Sequence, residues 1–187
     1  MVDAHDTAER WIGGGVTAER DRTIQVASLR YFDAAQCAAR IASALGGAPP
    51  AAGRLERHGL PGTAEPFAML WRSPSETWVL AGSPAPIDAL RRGLGTTEAA
   101  WLVDLSGGVL GIHLAGTRAL AVLRRLGSSL SIPRLGEART GRFADVTVTV
   151  AGWHADEYLL LVERVFYEHL VDWIRETLAD LRLEDDR

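Results

Sequence analysis

The chain has no lysine: all 20 of its basic residues are arginine. Schiff-base chemistry, a phosphate-gripping P-loop lysine and a pyridoxal anchor are thereby excluded, because each needs a primary amine. The single cysteine, Cys37, rules out an internal disulfide and any multi-cysteine metal site. No apolar run approaches the ~18 residues that span a bilayer, and the amino terminus lacks a signal-type pattern. No membrane association and a cytoplasmic location are therefore expected. Also missing are a glycine-rich dinucleotide fingerprint, a GxSxG nucleophile elbow and an HExxH metal motif.

What is present is ordinary for a globular protein. Of 187 residues, 47% are hydrophobic and 24% charged, enough apolar material to fold without staples. The formal charge of -4 argues against nucleic acid as a partner, since phosphate neutralisation needs a basic surface.

Residues 1–22 are polar and carry the glycine run Gly13 to Gly15, which reads as a flexible arm with Trp11 as an anchor onto the body or onto a partner. Residues 23–187 read as a single domain. From Ile24 the pattern alternates as a strand, and Asp33 is placed to cap a helix through Cys37, Ile41 and Leu45. Residues 48–62 read as a loop. The runs PFAMLWR and TWVLAG form a hairpin, followed by a short helix that ends near Gly95. The segment AAWLVDLS is a joining strand.

The order then repeats as strand 108–116, helix 117–129, loop 131–141, a hairpin from FADVTVTVAG to DEYLLLVE, and a closing helix. Leu45-Gly46 and Leu126-Gly127 end the first helix of each half. Phe67-Ala68 and Phe143-Ala144 open each hairpin. These echoes define pseudo-repeats of about 24–95 and 109–181. The expected fold is α+β, built from duplicated β-α-β-β-α units whose mostly antiparallel sheet is covered by helices on one face. In the closing helix Phe166, Leu170, Trp173, Ile174, Leu178 and Leu181 are expected to face the sheet. Trp78 and Trp173 are assigned to the core.

Four residues stand out as ligand-binding candidates. His113 alternates away from Leu110, Ile112 and Leu114, beside Gly111, where a ligand or another backbone can approach. Asp145 and Thr147, with Thr149, share the polar face of FADVTVTV, which is either solvated or lines a cavity. Trp153 falls in WHADE, read as a turn, where an exposed indole signals a contact surface. Asp104 and Ser106 read as turn stabilisers rather than as a hydrolytic triad with His113. No metal ligands are assigned.

The stretch VDLSGGVLGIHLAGTRALAVLRRL resembles the Asp-Leu-Ser turn, strand and helix entry of gamma subunits of heterotetrameric sarcosine oxidases. The same pattern recurs in the wider aminomethyltransferase family, the glycine-cleavage T proteins. LWRSPSETWVLAG and EYLLLVERVFYEHLVDWIRETL resemble the hairpin and the closing strand and helix of those subunits, so the resemblance covers about residues 25–181. It implies an aminomethyltransferase-like fold and a noncatalytic partner of flavoprotein chains. FAD, FMN, NAD and tetrahydrofolate would belong to the complex and none to this chain. It also sets Asp145, in GRFADVTV, at the place of an aspartate that assists one-carbon transfer in the wider family. The alternative is a stand-alone enzyme or binding protein that self-associates and uses the fold on a folate or a hydrophobic biosynthetic intermediate.

Overall fold

The computed structural model describes residues 9–32, 39, 41–44, 48–59, 65–95 and 100–185. The expected cap Asp33, Cys37, the Leu45-Gly46 helix end and residues 1–8 of the arm lie outside them. Residues 41–44 are helical, as the sequence pattern predicts.

The strands are β1 (Arg10–Gly13), β2 (Val16–Asp21), β3 (Gln25–Tyr31), β4 (Leu55–Gly59), β5 (Pro66–Ser73) and β6 (Glu76–Ala81), then β7 (Ala100–Asp104), β8 (Val109–Ala115), β9 (Ala138–Phe143), β10 (Val146–His154) and β11 (Glu157–Glu163). The helices are α1 (Pro84–Leu94), α2 (Ala119–Leu126) and α3 (Tyr167–Asp185). Two antiparallel sheets result, one ordered β1-β2-β8-β11-β10-β9 and the other β4-β5-β6-β3-β7. The fold is α+β and mostly antiparallel.

The apolar pattern explains the layering. Phe67 to Leu70, Thr77 to Ala81 and Leu159 to Val162 are buried without alternation, the signature of strands covered on both faces. Val26, Leu70, Leu80, Ala151, Leu159 and Leu161 meet between the sheets. On the outer face of the first sheet, Ile112, Leu114, Val148 and Leu160 pack on α2 and α3. On the outer face of the second, Leu29, Met69 and Val79 pack on α1 and on Ile41. Helix, sheet, sheet and helix are thus stacked, with each sheet carrying helices on one face only.

In α3 the buried stripe is Tyr167, Leu170, Val171, Ile174, Leu178 and Leu181. Burying each such large side chain contributes about 1.5–3 kcal/mol. Trp173 and Phe166 were expected on this stripe but are 52% and 41% exposed. Trp173 is rotated ~100° from Ile174, and Phe166 lies in the single turn Arg164–Phe166 that precedes the helix. Trp78, at 7% exposure, does belong to the core.

Three segments differ from the sequence expectation. Residues 10–21 are a hairpin rather than a flexible arm. Gly14 and Gly15, with φ of 52° and 72°, make its two-residue turn, and Val16 and Ala18 enter the core beside β8. Trp11 is partly buried against that core, consistent with an anchor. The expected loops at 48–62 and 131–141 each hold an edge strand, β4 and part of β9. Their polar residues hid them, because an edge strand buries few side chains. Finally, Phe143 ends β9 and Ala144-Asp145 is a tight turn with φ of 48° and 61°. Asp145 therefore leaves the strand face that it was expected to share with Thr147.

The two sheets share a plan. β4-β5-β6-β3 in one matches β9-β10-β11-β8 in the other, in both order and polarity. The strand that precedes each four-stranded set pairs with the opposite sheet: β2, before β3, joins β8, and β7, before β8, joins β3. The two crossovers touch, with Leu105 N donating to Val26 O at 2.8 Å and Ser106 Oγ accepting from Val26 N at 3.1 Å.

Candidate functional site

Period-two alternation on β8 sends Leu110, Ile112 and Leu114 to the helix side and Gly111 and His113 toward the second sheet. A Cβ at Gly111 would stand 3.2 Å from Ile24, so the absence of a side chain there lets the first crossover approach. That approach carries Asp21 to His113. Asp21 Oδ2 is 3.1 Å from His113 Nε2, and Glu157 Oε1, from β11, is 2.9 Å from Nδ1.

Asp21 also turns the chain. Its Oδ1 accepts from Thr23 N at 2.9 Å, Thr23 Oγ1 at 2.8 Å and Ile24 N at 3.0 Å. Burial opposes the charge on Asp21, but the bonds from His113 and Thr23 prevail and bring its pKa down to about 2. Burial likewise opposes the charged imidazole of His113. The bond and charge of Asp21, followed by those of Glu157, outweigh it and raise the pKa from the ordinary histidine value. The ring thus presents one nitrogen to a carboxylate on each side.

Against the same imidazole opens a cleft of about 310 Å³ between the sheets, whose lining includes Ile24, Phe67, Leu80 and Leu159. Trp153 closes it, edge-on to His113 with ring centroids 6.1 Å apart. Arg57 of β4 lies 4.5 Å over the Trp153 ring and donates to Trp153 O at 2.5 Å. On the outer side of Asp21 and His113 is a more polar depression of about 710 Å³ that includes Glu19, Arg20 and Arg22.

His113 and Trp153 are therefore brought together, while Asp145 and Thr147 lie elsewhere. Trp153 is on the last residues of β10 and not in the turn, which falls at residues 155–156. The Asp145 side chain is 96% exposed, and its carbonyl accepts from Arg142. Thr147 is exposed opposite Arg142. Thr149, on the other hand, is buried, and bonds to Thr140 and Arg72.

Asp104 and Ser106 stabilise a turn. Asp104 Oδ1 accepts from Ser106 N at 2.8 Å, and the Ser106 hydroxyl is engaged by the Val26 backbone, so neither reaches His113. Asp21 and Glu157 face opposite nitrogens of one ring, so their oxygens do not converge as metal ligands would. No cluster of three or more metal-ligating side chains occurs among the described residues.

The sequence reading missed Asp21, Glu157 and Arg57. One signal was available: Asp21-Arg22-Thr23 repeats the acid-x-hydroxyl spacing of Asp104-Leu105-Ser106. No local signal tied any of the three to His113, because their partners are on distant strands.

The sequence matches no protein-family model and no curated protein. Solved structures do match. One chain of the heterotetrameric sarcosine oxidase from Corynebacterium sp. U-96, solved in complex with pyrrole 2-carboxylate, superposes with a TM-score of 0.78 and 26% identity. The match covers 92% of this chain and 89% of that one, so it is similar to a whole chain of the sarcosine-oxidase type. The glycine cleavage system aminomethyltransferase T from Bartonella henselae superposes with a TM-score of 0.69 at 13% identity, covering 86% of this chain and 45% of its own length. That second likeness shows the fold, which is the aminomethyltransferase-like one expected from the sequence.

Proposed function

We propose that this chain is a sarcosine oxidase gamma-subunit-like protein, a noncatalytic partner of flavoprotein chains that demethylate sarcosine oxidatively and pass the carbon to tetrahydrofolate. The observation that carries the proposal is the near end-to-end match to one chain of a heterotetrameric sarcosine oxidase. The side-chain chemistry supports it. His113 has both nitrogens committed to carboxylates, and neither a serine nor a cysteine is bonded to it among the described residues. Such a group holds two strands and a crossover together; it does not move a proton to substrate.

The cofactors of the complex would sit on its other chains. At the turn from β8 to α2, where a dinucleotide-binding fold would place a pyrophosphate, the space beside Gly116 is filled by the carbonyl of Gly15, 2.2 Å from a Cβ position. Arg118 at the same turn is occupied by Leu181 O and Glu184. These residues do not fit a flavin or nicotinamide dinucleotide.

The test is co-expression with the flavoprotein chains of a sarcosine-oxidase-type enzyme from the same genome. A stable complex whose sarcosine turnover changes less than about twofold in Asp145→Asn and His113→Gln variants is expected. Failure to associate, or a large loss of turnover in a folded Asp145→Asn variant, overturns the proposal.

One observation favours the stand-alone reading, namely the cleft bounded by His113, Trp153 and Phe67. Native mass spectrometry of the chain purified alone decides it, because a retained small molecule at unit stoichiometry would make this a binding protein.

A further inference from the structure

The shared plan of the two sheets exposes a difference between them. In the first sheet, the strand swapped in from the other half, β2, has its outer edge covered by β1, which pairs antiparallel with it from Arg10↔Glu19 to Gly13↔Val16. Its counterpart β7 is the terminal strand of the second sheet. Among the described residues no strand pairs with its outer edge.

The backbone of that edge is ready to pair. Leu105 N donates to Val26 O, and β7 runs against β3 in continuous register from Ala27↔Asp104 to Tyr31↔Ala100. Because antiparallel bonds alternate, Val103 and Trp101 bond inward to β3, and the N–H and C=O groups of Ala100, Leu102 and Asp104 point outward. Native edge strands are ordinarily blunted by lysine, proline, bulges or inward charges. β7 reads Ala-Trp-Leu-Val-Asp, and its only charge is at the end.

The side chains beside this edge are apolar and uncovered. Trp101 is 42% exposed, Val103 44% and Phe32 84%, with Phe32 set edge-on to Trp101 at a centroid distance of 4.9 Å. Aromatic and β-branched side chains at alternate positions are what stabilise cross-strand pairs.

We infer that the outer edge of β7 is a strand-addition site, where an extended segment of a partner subunit pairs antiparallel, as β1 does on β2. The identity of the occupant rests on the function proposed above. Its shape rests on β1. The segment carries apolar side chains at alternate positions to cover Trp101 and Val103, and its main chain bonds Ala100, Leu102 and Asp104.

Hydrogen exchange at single-amide resolution on the free chain and on the complex with the flavoprotein chains tests the inference. Protection of the Leu102 and Asp104 amides at least tenfold greater in the complex is expected. Leu102→Pro removes an outward N–H and no bond to β3, so it should weaken assembly at least thirtyfold, whereas Leu102→Ile should assemble normally. Circular dichroism and thermal melting of the free Leu102→Pro chain guard against misfolding. If that variant does not fold, Trp101→Ala and Val103→Ala replace it, each with an expected loss of at least fivefold in affinity.

A complex that forms without protecting these amides overturns the strand-addition site and leaves the subunit function standing. Protection that rises with the concentration of the free chain assigns the edge to a second copy and also overturns it. If no complex forms, both readings fall.

Discussion

Asp21 and His113 lie 3.1 Å apart although 92 residues separate them, because the chain leaves β2 for the second sheet at the point where β8 presents its imidazole. The contact gives stability two pH limits. His113 is raised above its unfolded value near 6.5, so its contribution is complete below about pH 6.5 and is lost as pH rises through the higher folded pKa. Asp21 is depressed to about 2. Its contribution is present above about pH 3.9, its unfolded value, and is lost as pH falls through the folded pKa. Melting curves of the wild type and His113→Gln should differ more at about pH 6 than at higher pH, converging as the pH rises through the folded pKa of His113. A constant difference across that range would refute the linkage. The loss near pH 6 is expected at about 1.5–3 kcal/mol, the usual worth of bonds to charged groups.

Gly116 has φ of 132°, and a Cβ there would meet the carbonyl of Gly15 at 2.2 Å. Both the backbone and the contact forbid a side chain. Gly116→Ala should cost at least about 2 kcal/mol in urea denaturation, and should free the β1 to β2 turn to proteolysis before the rest of the chain.

Arg72 of β5 crosses to the first sheet. Its guanidinium bonds Thr140 and Thr149 and lies 4.3 Å from the Trp78 ring, while Nε has no hydrogen-bond partner among the described residues. Packing of the stem rather than charge pairing should dominate. Arg72→Met is expected within about 1 kcal/mol of wild type, and Arg72→Ala about 2 kcal/mol below it. Equal losses in the two variants would assign the energy to charge instead.

The Ala144-Asp145 turn holds two non-glycine residues at positive φ. Asp145→Gly relieves one of them and should stabilise the protein by about 0.5–1 kcal/mol, measured as an upward shift in melting temperature. If Asp145 were kept for chemistry, the same stabilisation would come with lost sarcosine turnover in the assembled complex.

The legible parts of the fold were those with local cause. The α2 stripe of Ala119, Val122, Leu123 and Leu126 follows helical spacing, and all four are buried. The apolar run of β11 marked it as a strand of the last hairpin, which it is. What escaped reading depended on distant partners. Glu19, Arg20 and Asp21 made β2 look like solvated chain, yet Val16 and Ala18 are buried there because β8 lies alongside. The site was half legible for the same reason. Alternation placed His113 correctly, but its carboxylates come from one strand end and one crossover that only the completed sheet brings near. Asp145 was misplaced by a single decision, taking Phe143-Ala144-Asp145 as strand when the hairpin reverses there.

The exchange of β2 and β7 between the sheets also governs the order in which the molecule can be completed during synthesis. The second sheet has all of its strands once Asp104 has left the ribosome. The first cannot close until Glu163 follows, because β2 reaches its neighbours only through β8 and β11. The hairpin made earliest therefore waits longest, with Val16 and Ala18 in water while more than ninety residues are added. Chaperone contact, and misassembly when it fails, should concentrate on that hairpin.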